Sequence, residues 1–146
     1  MREILFRGRR IDNGQWAEGA FLNDRDGAFY ICPAVTDITY GDNGNRRRIG
    51  CWYKVDPATV GQYTGLADND GKRIFEGDII KDDWGKIYKV FYSLKSCSFM
   101  VECTITPNEF ETGNYRIGEA WCDTIRVIGN IHDNAELLEV GNNGIN

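Results

Sequence analysis

Residues 97–105 contain the clearest strand pattern in the chain, and this pattern restricts the fold more than any other feature. Cys97, Phe99, Val101, Cys103 and Ile105 form one set, and Ser98, Met100, Glu102 and Thr104 alternate with them. A period of two over this length is typical of a β-strand with one face in the core. We therefore predict a strand here, paired antiparallel with residues 86–94.

The composition favours many short strands over a helical bundle. Glycine is abundant at 17 residues, proline is rare at 3, and aromatic residues make up 12% of the chain. Such a mixture is typical of strands joined by glycine-containing turns, so we expect a mostly β protein with little helix. The N-terminal part reads as a β meander. The C-terminal part predicts at least four strands that close into a small barrel, because an open sheet of that size must cover its apolar face.

Three further predictions concern single elements. Residues 121–131 carry evenly spaced apolar side chains and predict one long strand. Asp56 precedes Pro57, an arrangement that favours the start of a single helical turn over 56–59. A second short helical turn is expected to follow the Asp133-Asn134 pair.

Residues 61–80 read GQYTGLADNDGKRIFEGDII, and glycine and aspartate divide this string into short segments. Asp70-Gly71 lies between two apolar runs and predicts a tight two-residue hairpin turn, because glycine tolerates a positive φ. Glu76-Gly77-Asp78 predicts a second break before a new strand begins at Ile79. No catalytic pattern occurs within the string.

This string carries a family resemblance, together with two other blocks. Residues 1–7 read MREILFR and residues 127–134 read VIGNIHDN. The three blocks, in this order, resemble the YopX family of phage and prophage proteins. The resemblance implies a mostly β chain with an SH3-like barrel in its C-terminal part and no assigned enzymatic role. Residues 37–48 and 141–146 match no block of the family.

The patterns together predict four parts of the chain. Residues 1–60 form an N-terminal β-rich region, and residues 61–77 form a signature hairpin or linker. Residues 78–140 form the SH3-like barrel that the resemblance implies. Residues 141–146 are expected to be a flexible tail.

The charge is distributed unevenly and bears on the class of partner. Residues 1–65 carry a net charge of +1 and residues 66–146 a net charge of −6. Because affinity for nucleic acid comes largely from neutralised phosphates, this acidity disfavours nucleic acid as a partner. Neither a secretory signal nor an apolar run of membrane-spanning length occurs, so we expect a cytoplasmic protein with no membrane partner. The five scattered cysteines show no C-x-x-C spacing and predict reduced thiols.

The sequence motifs give little support for a catalytic, metal or cofactor site. Asp68-Asn69-Asp70-Gly71 resembles part of a calcium loop, but the first and twelfth ligand positions fall on Leu66 and Gly77, so a turn is preferred. Glu76 and Asp78 form a close carboxylate pair, and His132 is the only histidine. No nucleotide-binding glycine motif occurs. We therefore predict no catalytic residue, no metal and no cofactor.

One basic segment is the candidate contact for an anion or a partner. Arg46, Arg47 and Arg48 lie next to a Gly- and Asn-rich loop and shortly before Trp52. Three arginines beside an aromatic side chain suit single-stranded nucleic acid, in which phosphates are neutralised and bases stack. The alternatives are a solvated loop flank and a contact between subunits.

The sequence is therefore compatible with three functional hypotheses. The first is a non-enzymatic, self-associating interaction module that forms a homo-oligomer or binds a phage or host protein. The second is a single-stranded nucleic-acid-binding accessory protein acting through Arg46 to Arg48. The third is an unrecognised hydrolase that uses Glu76, Asp78 or His132. The first is the prediction carried forward.

Overall fold

The structure, a computed structural model, describes residues 1–33, 52–105 and 113–139, together with the backbone of two short strands within the first gap. The chain divides into two compact units, Met1–Gln62 and Tyr63–Asn146. The boundary falls inside the segment 61–77 that the sequence sets apart. The predicted tail at 141–146 lies outside the described residues.

The first unit is built from short antiparallel strands. They are β1 (Phe6–Arg9), β2 (Trp16–Asn23), β3 (Phe29–Cys32), β4 (Thr39–Tyr40), β5 (Arg47–Arg48), β6 (Tyr53–Val55) and β7 (Gly61–Ala67), which continues into the second unit. The order across the main sheet is β6-β3-β2-β1-β7, and β4 pairs with β5 separately. The predicted meander is present in β1, β2 and β3, which pair in sequence.

Apolar side chains from the meander form the core of the first unit. Ala17, Ile31 and Val55 are buried, and partly buried neighbours pack around them: Phe6, Phe21, Phe29, Tyr53 and Val60. Before β7, the chain makes a single 3₁₀ turn over Pro57–Thr59. The Asp56 side chain caps this turn by accepting a hydrogen bond from the Ala58 N–H at 3.0 Å, which confirms the predicted helical turn.

The second unit contains the remaining strands and one helix. They are β8 (Arg73–Phe75), β9 (Asp78–Asp82), β10 (Ile87–Ser93), β11 (Ser98–Ile105), β12 (Asn114–Arg116), α1 (Glu119–Cys122) and β13 (Ile125–Asn130). β7 and β8 form a hairpin, and the other strands form an antiparallel sheet in the order β12-β11-β10-β9-β13. A second 3₁₀ turn over Ala135–Leu138 follows β13, where a helical turn is predicted.

One core serves the second unit. Its buried members are Ile74, Ile80, Tyr88, Val90, Val101, Cys103, Cys122 and Ile125. In β11, Val101 and Cys103 are buried and Glu102 between them is exposed, which confirms the predicted alternation. Cys97 departs from it, because it lies in the β10–β11 turn with φ 50° and is exposed.

Three hairpin turns share one construction based on aspartate. Asp24, Asp68 and Asp82 are each followed three residues later by a glycine with φ near +80°, namely Gly27 (82°), Gly71 (79°) and Gly85 (85°). In each turn, one carboxylate oxygen accepts hydrogen bonds from the backbone N–H groups two and four residues further on. Aspartate at the first position of a type I turn and glycine in the left-handed region afterwards are typical of this longer hairpin loop.

The predicted two-residue turn at Asp70-Gly71 is therefore wrong in length, although the hairpin itself is confirmed. The loop runs from Asp68 to Lys72, and the Asp68 N–H donates to the Lys72 carbonyl at 2.8 Å. The Asp68 side chain selects this loop, because its bonds to the Asp70 and Lys72 N–H groups require the wider turn.

Asp68 also joins this hairpin to the far edge of the sheet. Its second carboxylate oxygen accepts a hydrogen bond from the Val127 N–H on β13 at 2.9 Å, and the Asn69 N–H donates to the Ile125 carbonyl at 3.0 Å. Arg126 and Asp70 add an exposed ion pair at 3.4 Å. The outer edge of β13 is thus hydrogen-bonded to the β7–β8 turn.

Two sequence predictions about the second unit need correction. The segment 121–131 is not one strand, because Trp121 lies in α1 and the strand begins at Ile125. The sheet is also not a closed barrel, since no described pairing joins β12 to β13. The helix α1 lies between these strands in the chain and packs Cys122 and Trp121 on the core. The SH3-like barrel is not confirmed.

We predict that Asp68→Asn lowers the free energy of unfolding by about 2–3 kcal/mol. Asp68 receives backbone N–H groups on both oxygens, so either orientation of the amide places an NH₂ group against an N–H donor. Urea denaturation followed by circular dichroism measures the loss.

Asp24→Asn is the matched control. Its turn has the same construction, but the second oxygen of Asp24 faces only the Tyr30 hydroxyl, which is able to accept from an amide. We expect a change within about 0.5 kcal/mol. Equal losses in both variants would show that the Val127 contact adds nothing.

Candidate functional site

An aromatic cleft of about 480 Å³ opens on the surface of the second unit, and it is lined by Lys86, Tyr88, Tyr115, Arg116 and Trp121. Tyr88 meets Trp121 edge-on with 4.9 Å between the ring centroids, and meets Tyr115 at 6.5 Å. Tyr88 is only 5% exposed, whereas Tyr115 is 46% exposed. The aromatic cleft is therefore the place where the core of this unit meets solvent.

Asp82 fixes two of the residues that line the aromatic cleft. Its carboxylate accepts the Lys86 backbone N–H at 2.9 Å and the Tyr88 hydroxyl at 2.9 Å. Burial of Tyr88, together with its hydrogen bond to Asp82, raises the pKa of Tyr88 far above its usual range. Tyr88 consequently remains a neutral hydrogen-bond donor to Asp82 and presents only its ring to the cleft.

The charged residues in the aromatic cleft are both cations. Lys86 is partly buried and Arg116 is exposed, and no carboxylate is among the lining residues that the structure describes. Arg116 makes no ion pair with another residue in the described part of the chain. The chain as a whole carries −5, so this is a local positive region on an acidic protein. Chemically, the arrangement suits a ligand with an apolar or aromatic group and one or two negative charges.

Most of the predicted basic segment lies outside the described residues. Arg46 lies outside the described residues, and only the backbone of Arg47 and Arg48 is described, in β5. Trp52 is described and lines a separate cleft of about 370 Å³ in the first unit, with Leu22, Asn23, Asp24 and Tyr30. Asp24 is the charged residue among the described ones that line this cleft, and its sign repels phosphate. The assignment of Arg46 to Arg48 as an anion contact stays a prediction.

Glu76 and Asp78 of the hydrolase hypothesis flank the turn at Gly77, and the third residue, His132, lies close to this turn. An added Cβ on Gly77, between Glu76 and Asp78, would lie 3.8 Å from the His132 Nε2 atom. Asp78 is 1% exposed, and one of its carboxylate oxygens accepts the Phe75 N–H at 2.8 Å. Neither of the two clefts described above is lined by these residues.

Two of the sequence blocks behind the family resemblance, residues 61–80 and 127–134, meet in space. The Gly77 N–H donates to the Val90 carbonyl at 2.9 Å, and the Gly77 carbonyl accepts from the Ile131 N–H at 2.8 Å. Gly77 has φ 85°, a conformation that only glycine adopts without strain. The turn at 76–78 is thereby tied to β10 and to the segment after β13.

The last block forms a tight turn around two asparagine side chains. The Asn130 side-chain oxygen accepts the His132 and Asp133 N–H groups, each at 2.9 Å. The Asn134 side-chain oxygen accepts the Asn130 N–H at 3.2 Å. A Cβ on Gly129 would lie only 2.5 Å from that Asn134 oxygen, so the turn requires glycine there. The side-chain oxygens of Asn130 and Asn134 are thus used to accept backbone N–H groups.

Metal-binding geometry is not found among the described residues, where no three His, Cys, Asp or Glu side chains lie close enough to share an ion. The calcium-like run 68–71 is a turn, as the sequence favours, because Asp68 uses both oxygens on backbone N–H groups. No helix in the described ranges is long and apolar enough to cross a bilayer.

Sequence patterns missed the aromatic cleft. Lys86 and Tyr88 were recognisable as neighbours on one face of a predicted strand, because they are two residues apart. Tyr115 lies in a strand of only three residues, and Trp121 lies in a helix where a strand is predicted. Their approach to Tyr88 arises from the order of the strands, which no local pattern discloses.

We predict that Gly129→Ala and Asn134→Ala are each destabilising and that their effects are less than additive. The alanine methyl group collides with the Asn134 side chain, at a cost of about 1–3 kcal/mol. Asn134→Ala loses the bond to the Asn130 N–H but removes the two atoms that a Cβ at 129 would meet first. A double-mutant cycle from urea denaturation measures the coupling, and strict additivity would contradict the geometry.

Comparison with known proteins places this fold. The crystal structure of protein EF1440 from Enterococcus faecalis is similar, with a TM-score of 0.59 and 27% sequence identity, covering 94% of this chain and 99% of that chain. Comparison with curated proteins gave no match. The family model described as YopX protein matches residues 22–139. The chain therefore belongs to the YopX family, as the sequence blocks indicate.

Proposed function

We propose that this YopX protein is a non-enzymatic, self-associating interaction module of phage or prophage origin that acts in the cytoplasm. The observation that carries the proposal is the apolar end of the β10–β11 hairpin. Leu94 is 85% exposed and Tyr92 is 39% exposed, and Tyr92 packs edge-on against Phe99 with 5.2 Å between ring centroids. Exposed apolar side chains grouped on one element are typical of a protein contact surface.

The buried carboxylates support a non-enzymatic role. Asp68 and Asp82 direct both of their oxygens at backbone N–H groups or at the Tyr88 hydroxyl. Acid or base catalysis needs a carboxylate that reaches a substrate, and these two are occupied by turn formation. The family resemblance likewise implies no assigned enzymatic role.

We also propose that the sheet of the second unit curves in the manner of an SH3-like barrel without closing. Ile125 on β13 and Val101 on β11 contact the same core cluster, although β9 and β10 lie between them in the sheet. Strands separated by two others share a core when the sheet bends around it.

Leu94→Asp is expected to shift the protein from an oligomer to a monomer at tens of micromolar, since a charge placed in an apolar contact is costly to bury. Size-exclusion chromatography with light scattering measures the mass, with a reductant present because Cys97 is exposed in the same turn. Lys95→Ala is the matched control. Lys95 is exposed next to Leu94, and its loss changes the net charge by the same amount.

A strict monomer for the unmodified protein would contradict self-association. So would a Leu94→Asp variant that keeps the oligomeric mass. A mass lowered equally by Lys95→Ala would show that charge, and not the apolar hairpin, controls assembly.

A further inference from the structure

We propose that the aromatic cleft, together with the outer edge of β12, binds an extended acidic segment of a partner protein. An apolar or aromatic side chain of the segment would lie against Tyr115 and Trp121, and a carboxylate of the segment would face Arg116. This site is separate from the apolar hairpin, so the inference goes beyond self-association and does not depend on it.

The first support is the open edge of the sheet. All three residues of β12 are exposed, and within the described ranges β12 pairs only with β11. The opposite edge strand, β13, has its outer edge bonded to the β7–β8 turn through Asp68 and Asn69. An unpaired edge offers a row of N–H and C=O groups to an extended peptide, which is how β-strand addition is achieved.

The second support is the position of the aromatic cleft relative to that edge. Tyr115 pairs with Val101, whose side chain is in the core, so Tyr115 lies on the core face of β12. Arg116 is the next residue, so it lies on the other face. A cleft that both residues line extends around the edge of the strand. A peptide paired with β12 would therefore have alternate side chains within reach of the cleft.

The third support is charge. Among the described residues that line the aromatic cleft, the charged ones are the cations Lys86 and Arg116, whereas residues 66–146 carry a net charge of −6. A carboxylate placed beside Arg116 gains a charge-assisted hydrogen bond, and a short segment with one or two carboxylates meets little long-range repulsion from the acidic unit. A nucleic-acid strand would bring several phosphates to the same acidic unit, and its affinity depends on neutralising most of them. An acidic peptide is thus the occupant that the charges favour.

The test uses a display library of random dodecapeptides selected on the full chain. We expect enrichment of peptides in which Asp or Glu alternates with aromatic or branched aliphatic residues. Synthetic copies of the enriched peptides should bind about tenfold more weakly to Arg116→Glu and to Tyr115→Ala, measured by fluorescence anisotropy. Both replaced side chains are exposed, and thermal denaturation checks that the variants remain folded.

Arg126→Glu is the matched control, because Arg126 is exposed on the other edge strand and the change in charge is identical. Its affinity should stay within about twofold of the unmodified protein. No enrichment, enrichment of basic peptides, or equal weakening by Arg126→Glu would each overturn the inference. Binding of a dodecathymidine oligonucleotide at low salt that is lost in Arg116→Glu, without peptide binding, would assign the cleft to nucleic acid instead.

Discussion

The hydrogen bonds of the Asp68 carboxylate are the interactions on which the second unit depends most. This carboxylate accepts backbone N–H groups from Asp70 and Lys72 within its own turn and from Val127 on β13, 59 residues away in sequence. A buried carboxylate with three donors is well compensated for its loss of water. It both shapes a hairpin and closes one edge of a sheet. Without it, the Val127 N–H on the outer edge of β13 would lose its partner in the β7–β8 turn.

Two of the sequence blocks that identify the family also make hydrogen bonds that hold the backbone. The block around Gly77 and the block around Asn130 meet through the bond from the Ile131 N–H to the Gly77 carbonyl. Glycine at 129 is needed because the Asn134 side chain occupies the space of a Cβ. In this chain, both blocks contain a glycine that its turn needs. These blocks shape the backbone, and a backbone fold does not by itself determine the function.

Local patterns were sufficient to predict the elements whose geometry is local. The alternation in β11, the capped turn at Asp56 and the hairpin after Ala67 were all visible in the sequence. Trp121 was misassigned because its four-residue spacing from Ile125 fits a helix as well as a strand. Long-range contacts remained hidden, since the bond from Val127 to Asp68 and the approach of Tyr115 to Tyr88 depend on strand order. The aromatic cleft could not be predicted for that reason.

The central claim is that the two edges of this sheet differ within the described residues: β13 is hydrogen-bonded to the β7–β8 turn, and β12 is the edge that we propose as a partner site. Amide hydrogen exchange of the free protein, followed by NMR, tests this difference residue by residue. The account predicts that the Val127 amide exchanges at least about a hundredfold more slowly than the amides on the outer edge of β12. Equal protection at the two edges, or faster exchange at Val127, would contradict it.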